Sequence, residues 1–177
     1  MNYFEVFGLP RALNLDLATL EKKFHELSRQ FHPDYYTTAS KEEKGRALRM
    51  TALLNDAYRT LRHPTRRVEY LLSLSGLKSD GSRVPQSLLM EVFEINEQLE
   101  EAKAAGNPAP LAAIRLQVEA RRKEFDSQLQ AATFEWDSLI ARSASEAEQK
   151  TQLTRLAEIL SESSYIRNLE EEMAERN

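Results

Sequence analysis

Cysteine is absent from the 177 residues, which excludes disulfides, zinc–thiolate sites and protein-thiolate ligation of an iron–sulfur cluster. Histidine occurs only at 25, 32 and 63, so no imidazole metal centre is expected and no cofactor site is indicated. Glycine (5) and proline (6) are scarce, and a succession of short strands would need more turn chemistry than that. No segment alternates apolar and polar residues for long, and no run of 18 apolar residues offers a transmembrane helix. There is no G-x-S-x-G elbow to let His32 and Asp34 serve Ser28 or Tyr35, and no G-x-x-x-x-G-K-[ST] loop. Neither hydrolase chemistry nor ATP hydrolysis by this chain is expected.

What is present is an ordinary globular composition, 41% hydrophobic and 29% charged. Tyr3, Phe4, Val6, Phe7 and Leu9 read as folded chain almost from Met1, with no basic-then-apolar leader. The expectation is a soluble, untargeted, all-α protein with no membrane partner. The net charge of -4 conceals an asymmetry: residues 1–77 hold 12 Lys/Arg against 9 Asp/Glu, and residues 78–177 hold 12 against 19. The halves should therefore face different partners. Arg59, Arg62, Arg66 and Arg67 form a basic group, but a negative total charge and an acidic second half speak against a nucleic-acid partner.

Leu17, Leu20, Phe24, Leu27 and Phe31 recur at steps of three and four, one stripe of a helix with Asp16 as its cap. Pro33 disfavours helical backbone at His32, so the helix stops and a loop begins. After Ser40, a second cap, Ala47, Met50, Leu54, Ala57 and Leu61 repeat the same spacing. Two matched stripes across a short loop predict a helical hairpin. Pro64 opens a short closing helix carrying Val68, Leu71 and Leu72, which ends before Gly76. Residues 78–84 are polar, contain glycine and lack periodicity, so they read as a linker between a domain at 1–77 and a second at 85–177. The second domain reads as three helices near 85–105, 109–141 and 145–175, broken at Gly106-Asn107-Pro108 and Ser143-Ala144-Ser145, packed as a bundle.

His32-Pro33-Asp34, lying between two helices, resembles the signature of a J-domain, the module that stimulates ATP hydrolysis by DnaK-like chaperones. Residues 3–9 resemble that family's opening segment, and Leu54-Asn55-Asp56-Ala57-Tyr58-Arg59-Thr60-Leu61 resembles its third helix. The resemblance covers about 75 residues; one departure is His63-Pro64, where many relatives have Asp-Pro at a helix cap. Physically, Pro33 limits the entropy lost when the loop is fixed on a partner, His32 donates or accepts hydrogen bonds, and Asp34 offers a carboxylate to a cation. The resemblance implies that Lys22, Lys23 and Arg29 present a basic face to the same chaperone; the alternative is a solvated helix face.

In the first helix of the second half, Leu88, Val92, Ile95 and Leu99 fall within about 60° of one another at about 100° per residue. Leu89, Phe93 and Met90 lie about 100°, 140° and 200° away from that stripe, on the side of Glu94 and Glu97. Such a patch is either a docking surface or a face covered by the last helix of the bundle. A J-domain joined to an acidic three-helix bundle resembles the HscB family, over essentially the whole chain. The resemblance implies that the bundle binds an IscU-type iron–sulfur scaffold through a Leu-Met-x-x-apolar-Glu pattern. That pattern falls on Leu89, Met90, Phe93 and Glu94, extended by Glu97, with Tyr165 matching an aromatic on the last helix. The partners it implies are an HscA/DnaK-like ATPase chaperone and that scaffold. The lack of a cysteine-rich zinc segment and of a presequence points to the bacterial cytoplasm.

Overall fold

The computed structural model describes residues 1–77, 86–104 and 109–174, and among them every regular element is helical. The expected linker at 78–84, the break at Gly106-Asn107-Pro108 and the last three residues lie outside the described residues. Asn2 caps α1 (Tyr3–Val6) and exchanges hydrogen bonds with Glu5 in a capping box. Gly8, at φ +56°, then reverses the chain, its N–H donating to the Glu5 carbonyl while the Leu9 N–H donates to that of Phe4. α2 (Leu17–Gln30) starts on Asp16, whose carboxylate accepts from the Ala18 N–H, and ends at Phe31 as Pro33 requires. A single 3₁₀ turn, Pro33–Tyr36, leads to α3 (Lys41–Leu61), which begins with a second capping box between Ser40 and Glu43.

The stripes of α2 and α3 meet with α1 against their end. Phe4, Phe7, Leu20, Leu54, Ala57 and Leu61 are buried, Leu27, Phe31 and Met50 pack around them, and Phe24 stacks on Tyr58 with ring centroids 4.3 Å apart. Leu17 departs from its stripe and is half exposed. It is the first residue of α2, where the stripe begins with no preceding helical turn beside it.

The closing helix, α4 (Pro64–Leu74), behaves differently from its expected role. Val68, Leu71 and Leu72 enter a core made by Phe125, Leu129, Ala132 and Trp136 of α6 (Ala109–Ala141) and by Leu153, Leu156, Ala157 and Leu160 of α7 (Glu146–Ala174). The opposite side of α4 faces the hairpin, where Tyr70 stacks on Tyr3 at 4.2 Å and accepts the Tyr3 N–H at 2.9 Å. α4 is thus shared by both halves. α6 and α7 are joined by a tight reversal with Ser143 at φ +52° and a third box between Ser145 and Glu148. α5 (Gln86–Ala104) lies over the far end of this pair, with Ile95 and Leu99 against Ile114, Val118, Leu169 and Met173.

Between α1 and α2 the chain has no repeating structure, yet Leu13 is buried in the shared core. Its backbone polar groups need partners there. Asp137 of α6 accepts the N–H of Leu13 at 2.6 Å and that of Asn14 at 2.8 Å, and the Trp136 indole donates to the Arg11 carbonyl at 2.8 Å. The buried guanidinium of Arg67 donates to the carbonyls of Leu61 and Leu13. Burial draws its pKa down and the Asp137 charge opposes that shift. Arg67 is therefore unavailable to the basic group read with Arg59, Arg62 and Arg66.

Asp137→Ala strands the partly buried Leu13 donor and removes the counter-charge of Arg67, so it should cost about 1–3 kcal/mol. Urea denaturation checks this, together with a red shift of the emission of Trp136, the sole tryptophan. Glu148 accepts from the Ser145 hydroxyl and backbone and pairs with Arg142, which holds its carboxyl at about 2 instead of 4.5. Its contribution is fully present above the unfolded value of 4.5 and is lost as pH falls toward 2. Thermal melts across pH should show the gap between wild type and Glu148→Gln constant near neutrality and closing over that acid window.

Candidate functional surfaces

Pro33 ends α2 and leaves His32 as the N-terminal cap of the short turn, with extended backbone. The His32 Nδ1 accepts the Asp34 N–H at 3.3 Å and lies 3.5 Å from the Asp34 carboxylate. An Nδ1 that accepts carries no proton, so in the neutral ring the donor is Nε2. Tyr35 meets the imidazole edge-on at 6.4 Å. The loop is fixed at its flanks: Thr51 donates to the Phe31 carbonyl at 3.1 Å and Tyr36 to that of Gln30 at 3.2 Å. Between these anchors Asp34 is 84% exposed. The tripeptide is therefore shaped by its own hydrogen bonds and leaves a ring donor and a carboxylate accessible to a partner.

The three cations expected beside this loop do not act alike. Lys22 and Arg29 are exposed and share a face of α2, whereas the Lys23 ammonium crosses to α1 and donates to the Phe7 carbonyl at 2.8 Å. Lys23 thereby ties α2 to the turn after α1. His25 takes its place on the exposed face, 3.8 Å from Glu21, and with Ser28, Arg29 and His32 lines a shallow hollow of about 400 Å³. Sequence reasoning passed over His25, although Lys22, His25, Arg29 and His32 follow at steps of three, four and three. Ser28 has no hydrogen bond to either imidazole among the described residues, so no nucleophile–base pair is formed.

On α5, Leu88, Ile95 and Leu99 are buried and Val92 is half-buried against the pair beneath. The opposite side carries Leu89, Met90 and Phe93 at 42%, 58% and 63% exposure, with Glu94 and Glu97 exposed beside them. Gln86, Leu89, Met90, Phe93 and Glu94 line a shallow apolar hollow of about 300 Å³. α7 packs against the inner face of α5, so it does not cover this patch. Tyr165 is half-buried on α7, and no hydrogen bond or ring contact links it to the three apolar residues among the described residues. Among those residues, too, no three His, Asp or Glu side chains converge as a metal site, and no helix is long and apolar enough to cross a membrane.

Two family models match the chain, one over each half. One, described as a DnaJ domain, covers residues 2–70, and the other, described as the HSCB C-terminal oligomerisation domain, covers residues 84–174. The chain belongs to the HscB co-chaperone family. The co-chaperone protein HscB homolog of Vibrio cholerae serotype O1 is 42% identical over 142 residues, which is 77% of this chain and 83% of that protein. The solved chaperone HscB from Vibrio cholerae superposes with a TM-score of 0.72 at 34% identity, over 98% of this chain and 96% of its own. The crystal structure of human co-chaperone protein HscB gives 0.71 at 30% identity, over 99% of this chain and 82% of its own. These relatives are named as chaperones and co-chaperones, and the J-domain places this chain among the partners of Hsp70-type chaperones.

The different employment of Lys22 and Lys23 is measurable without any partner. Lys23→Ala should lower stability by about 1 kcal/mol through loss of a charged hydrogen bond to a backbone carbonyl, while Lys22→Ala stays within about 0.5 kcal/mol of wild type in chemical denaturation.

Proposed function

We propose that this chain stimulates ATP hydrolysis by an HscA/DnaK-like chaperone and delivers to it an IscU-type iron–sulfur scaffold, in the bacterial cytoplasm. The observation that carries the reading is the coexistence of two exposed surfaces, the His32-Pro33-Asp34 loop and the outer face of α5, on halves held together by one shared core. The chain is not an enzyme in this reading; its residues bind and orient. We read 1–77 and 85–177 as its two functional domains, with 78–84 between them.

On the first surface, the His32 Nε2–H and the Asp34 carboxylate offer directional polar contacts, and Lys22, His25 and Arg29 extend them along α2. Long-range attraction of that face to an acidic patch raises the encounter rate, and short hydrogen bonds fix register. On the second, Leu89, Met90 and Phe93 supply apolar area and Met adapts to the partner's shape, while Glu94 and Glu97 favour a cationic rim. Tyr165 joins this contact from α7. Holding both partners on one frame raises the effective concentration of the scaffold at the chaperone. Chaperone closure on the scaffold is thereby coupled to hydrolysis, which favours release of the cluster, a cargo and not a cofactor of this chain.

Single-turnover hydrolysis by an HscA-type chaperone, with and without an IscU-type scaffold, tests this. Wild type should accelerate hydrolysis synergistically with the scaffold, and His32→Gln should abolish the acceleration. The Leu89→Ala/Met90→Ala/Phe93→Ala variant should keep the scaffold-independent part and bind scaffold about 100-fold more weakly, about 2.7 kcal/mol. If reduced unfolded proteins replace the scaffold equally well, the protein is a general J-domain co-chaperone instead.

A further inference from the structure

α5 rests on the α6–α7 pair through an apolar seam, and a polar contact flanks that seam. In that contact Arg121 of α6 is largely buried, and it donates to Glu124 at 2.9 Å and to Glu162 of α7 at 2.7 Å. Its Nε lies 3.9 Å from the carboxylate of Glu91 on α5 and has no hydrogen-bond partner among the described residues. Glu162 is itself buried; burial pushes its pKa up, Arg121 opposes this, and Glu124 and Glu91 add to the upward push. A single guanidinium thus stands among carboxylates from all three helices. Without it, Glu91 and Glu162 would repel each other across the joint between α5 and α7.

The place of Glu91 on α5 gives this contact leverage. At about 100° per residue, Glu91 lies about 60° from Glu94 on one side and about 60° from the buried Leu88 on the other. It therefore marks the flank between the docking face and the core face. A hold on that flank fixes the rotation of α5 about its own axis, which the round apolar contacts of Ile95 and Leu99 specify less sharply. Arg122, the next residue, is engaged elsewhere, with Asp126 at 3.1 Å and Glu170 at 3.3 Å.

We infer that Arg121 is a positioning residue for the scaffold-docking face: through Glu91 it sets the rotation of α5, and with it the direction in which Leu89, Met90 and Phe93 are presented. The inference rests on the proposed reading of that face as the scaffold site. It assigns Glu91, which the docking pattern treats as an indifferent position, a role exercised through Arg121 and not through direct contact with the partner.

The test uses the full chain and four variants, Glu91→Gln, Arg121→Lys, Arg121→Gln and the Arg121→Gln/Glu91→Gln pair. Affinity for an IscU-type scaffold is read by calorimetry, hydrogen exchange of α5 is read in the free protein, and scaffold-independent stimulation of the chaperone serves as control. Glu91→Gln should bind scaffold about 3–10-fold more weakly, with accelerated exchange over 89–97 and unchanged scaffold-independent stimulation. Arg121→Lys should retain most of the affinity, and the double variant should bind no more weakly than Arg121→Gln alone. Additive losses would mean that Glu91 touches the scaffold directly, and would overturn the inference. So would wild-type affinity in Glu91→Gln while the Leu89/Met90/Phe93 alanine variant fails to bind. If wild type itself does not bind the scaffold, the proposed function fails, and the exchange of α5 alone then decides: acceleration in Glu91→Gln and Arg121→Gln upholds the positioning role, and unchanged exchange removes it.

Discussion

Asp137 and Arg67 make it possible to bury a stretch of chain that has no secondary structure. Leu13 enters the shared core between α4, α6 and α7, and a buried backbone without a ladder or helix must find partners one group at a time. Asp137 takes two of its N–H groups, Arg67 takes a carbonyl, and Trp136 takes the carbonyl of Arg11. Charged partners suit this place because a carboxylate accepts several bonds at once and a guanidinium donates several. Without them the buried backbone of Leu13 loses its partners inside the core through which the hairpin and the bundle are joined.

The two exposed surfaces depend on that junction in different ways. The His32 loop owes its shape to local constraints: a proline, an imidazole nitrogen that accepts from the next N–H but one, and anchors from Thr51 and Tyr36. The face of α5 is defined only by contrast, since it is outer because Ile95 and Leu99 are inner. A helix presents whichever side its neighbours leave uncovered, so the apolar patch exists as a surface only while α5 keeps its rotation on α6 and α7. The hairpin and the bundle are joined through a third element, the shared helix α4, whose two sides belong to different cores.

Several elements were legible in the chain because they obey local rules. Caps at Asp16 and Ser40, the stop at Pro33, the break at Ser143-Ala144-Ser145 and the stripes of α2 and α3 follow from backbone sterics and helical periodicity, which act over a few residues. The signature at 32–34 was legible through its resemblance to the J-domain family, and helical spacing showed that the apolar residues 89, 90 and 93 fall outside the stripe of α5. Less legible were the side chains whose partners lie far along the chain. Lys23 looked like one cation of three, and only the approach of α1 turned its ammonium to the Phe7 carbonyl. Arg67 looked like part of a basic group and is buried; Leu17 looked like core and is not.

By itself, then, the sequence determined the helices, their caps, the loop and the residue types available for binding, because propensity, proline sterics and 3.6-residue spacing are properties of neighbours. Tertiary structure alone decided that α4 joins two cores, that Asp137 receives a loop more than a hundred residues away, and that Arg121 gathers carboxylates from three helices. A charged side chain carries no mark of its partner; burial removes water from it, and the identity of the group that replaces the water is settled only when the helices meet.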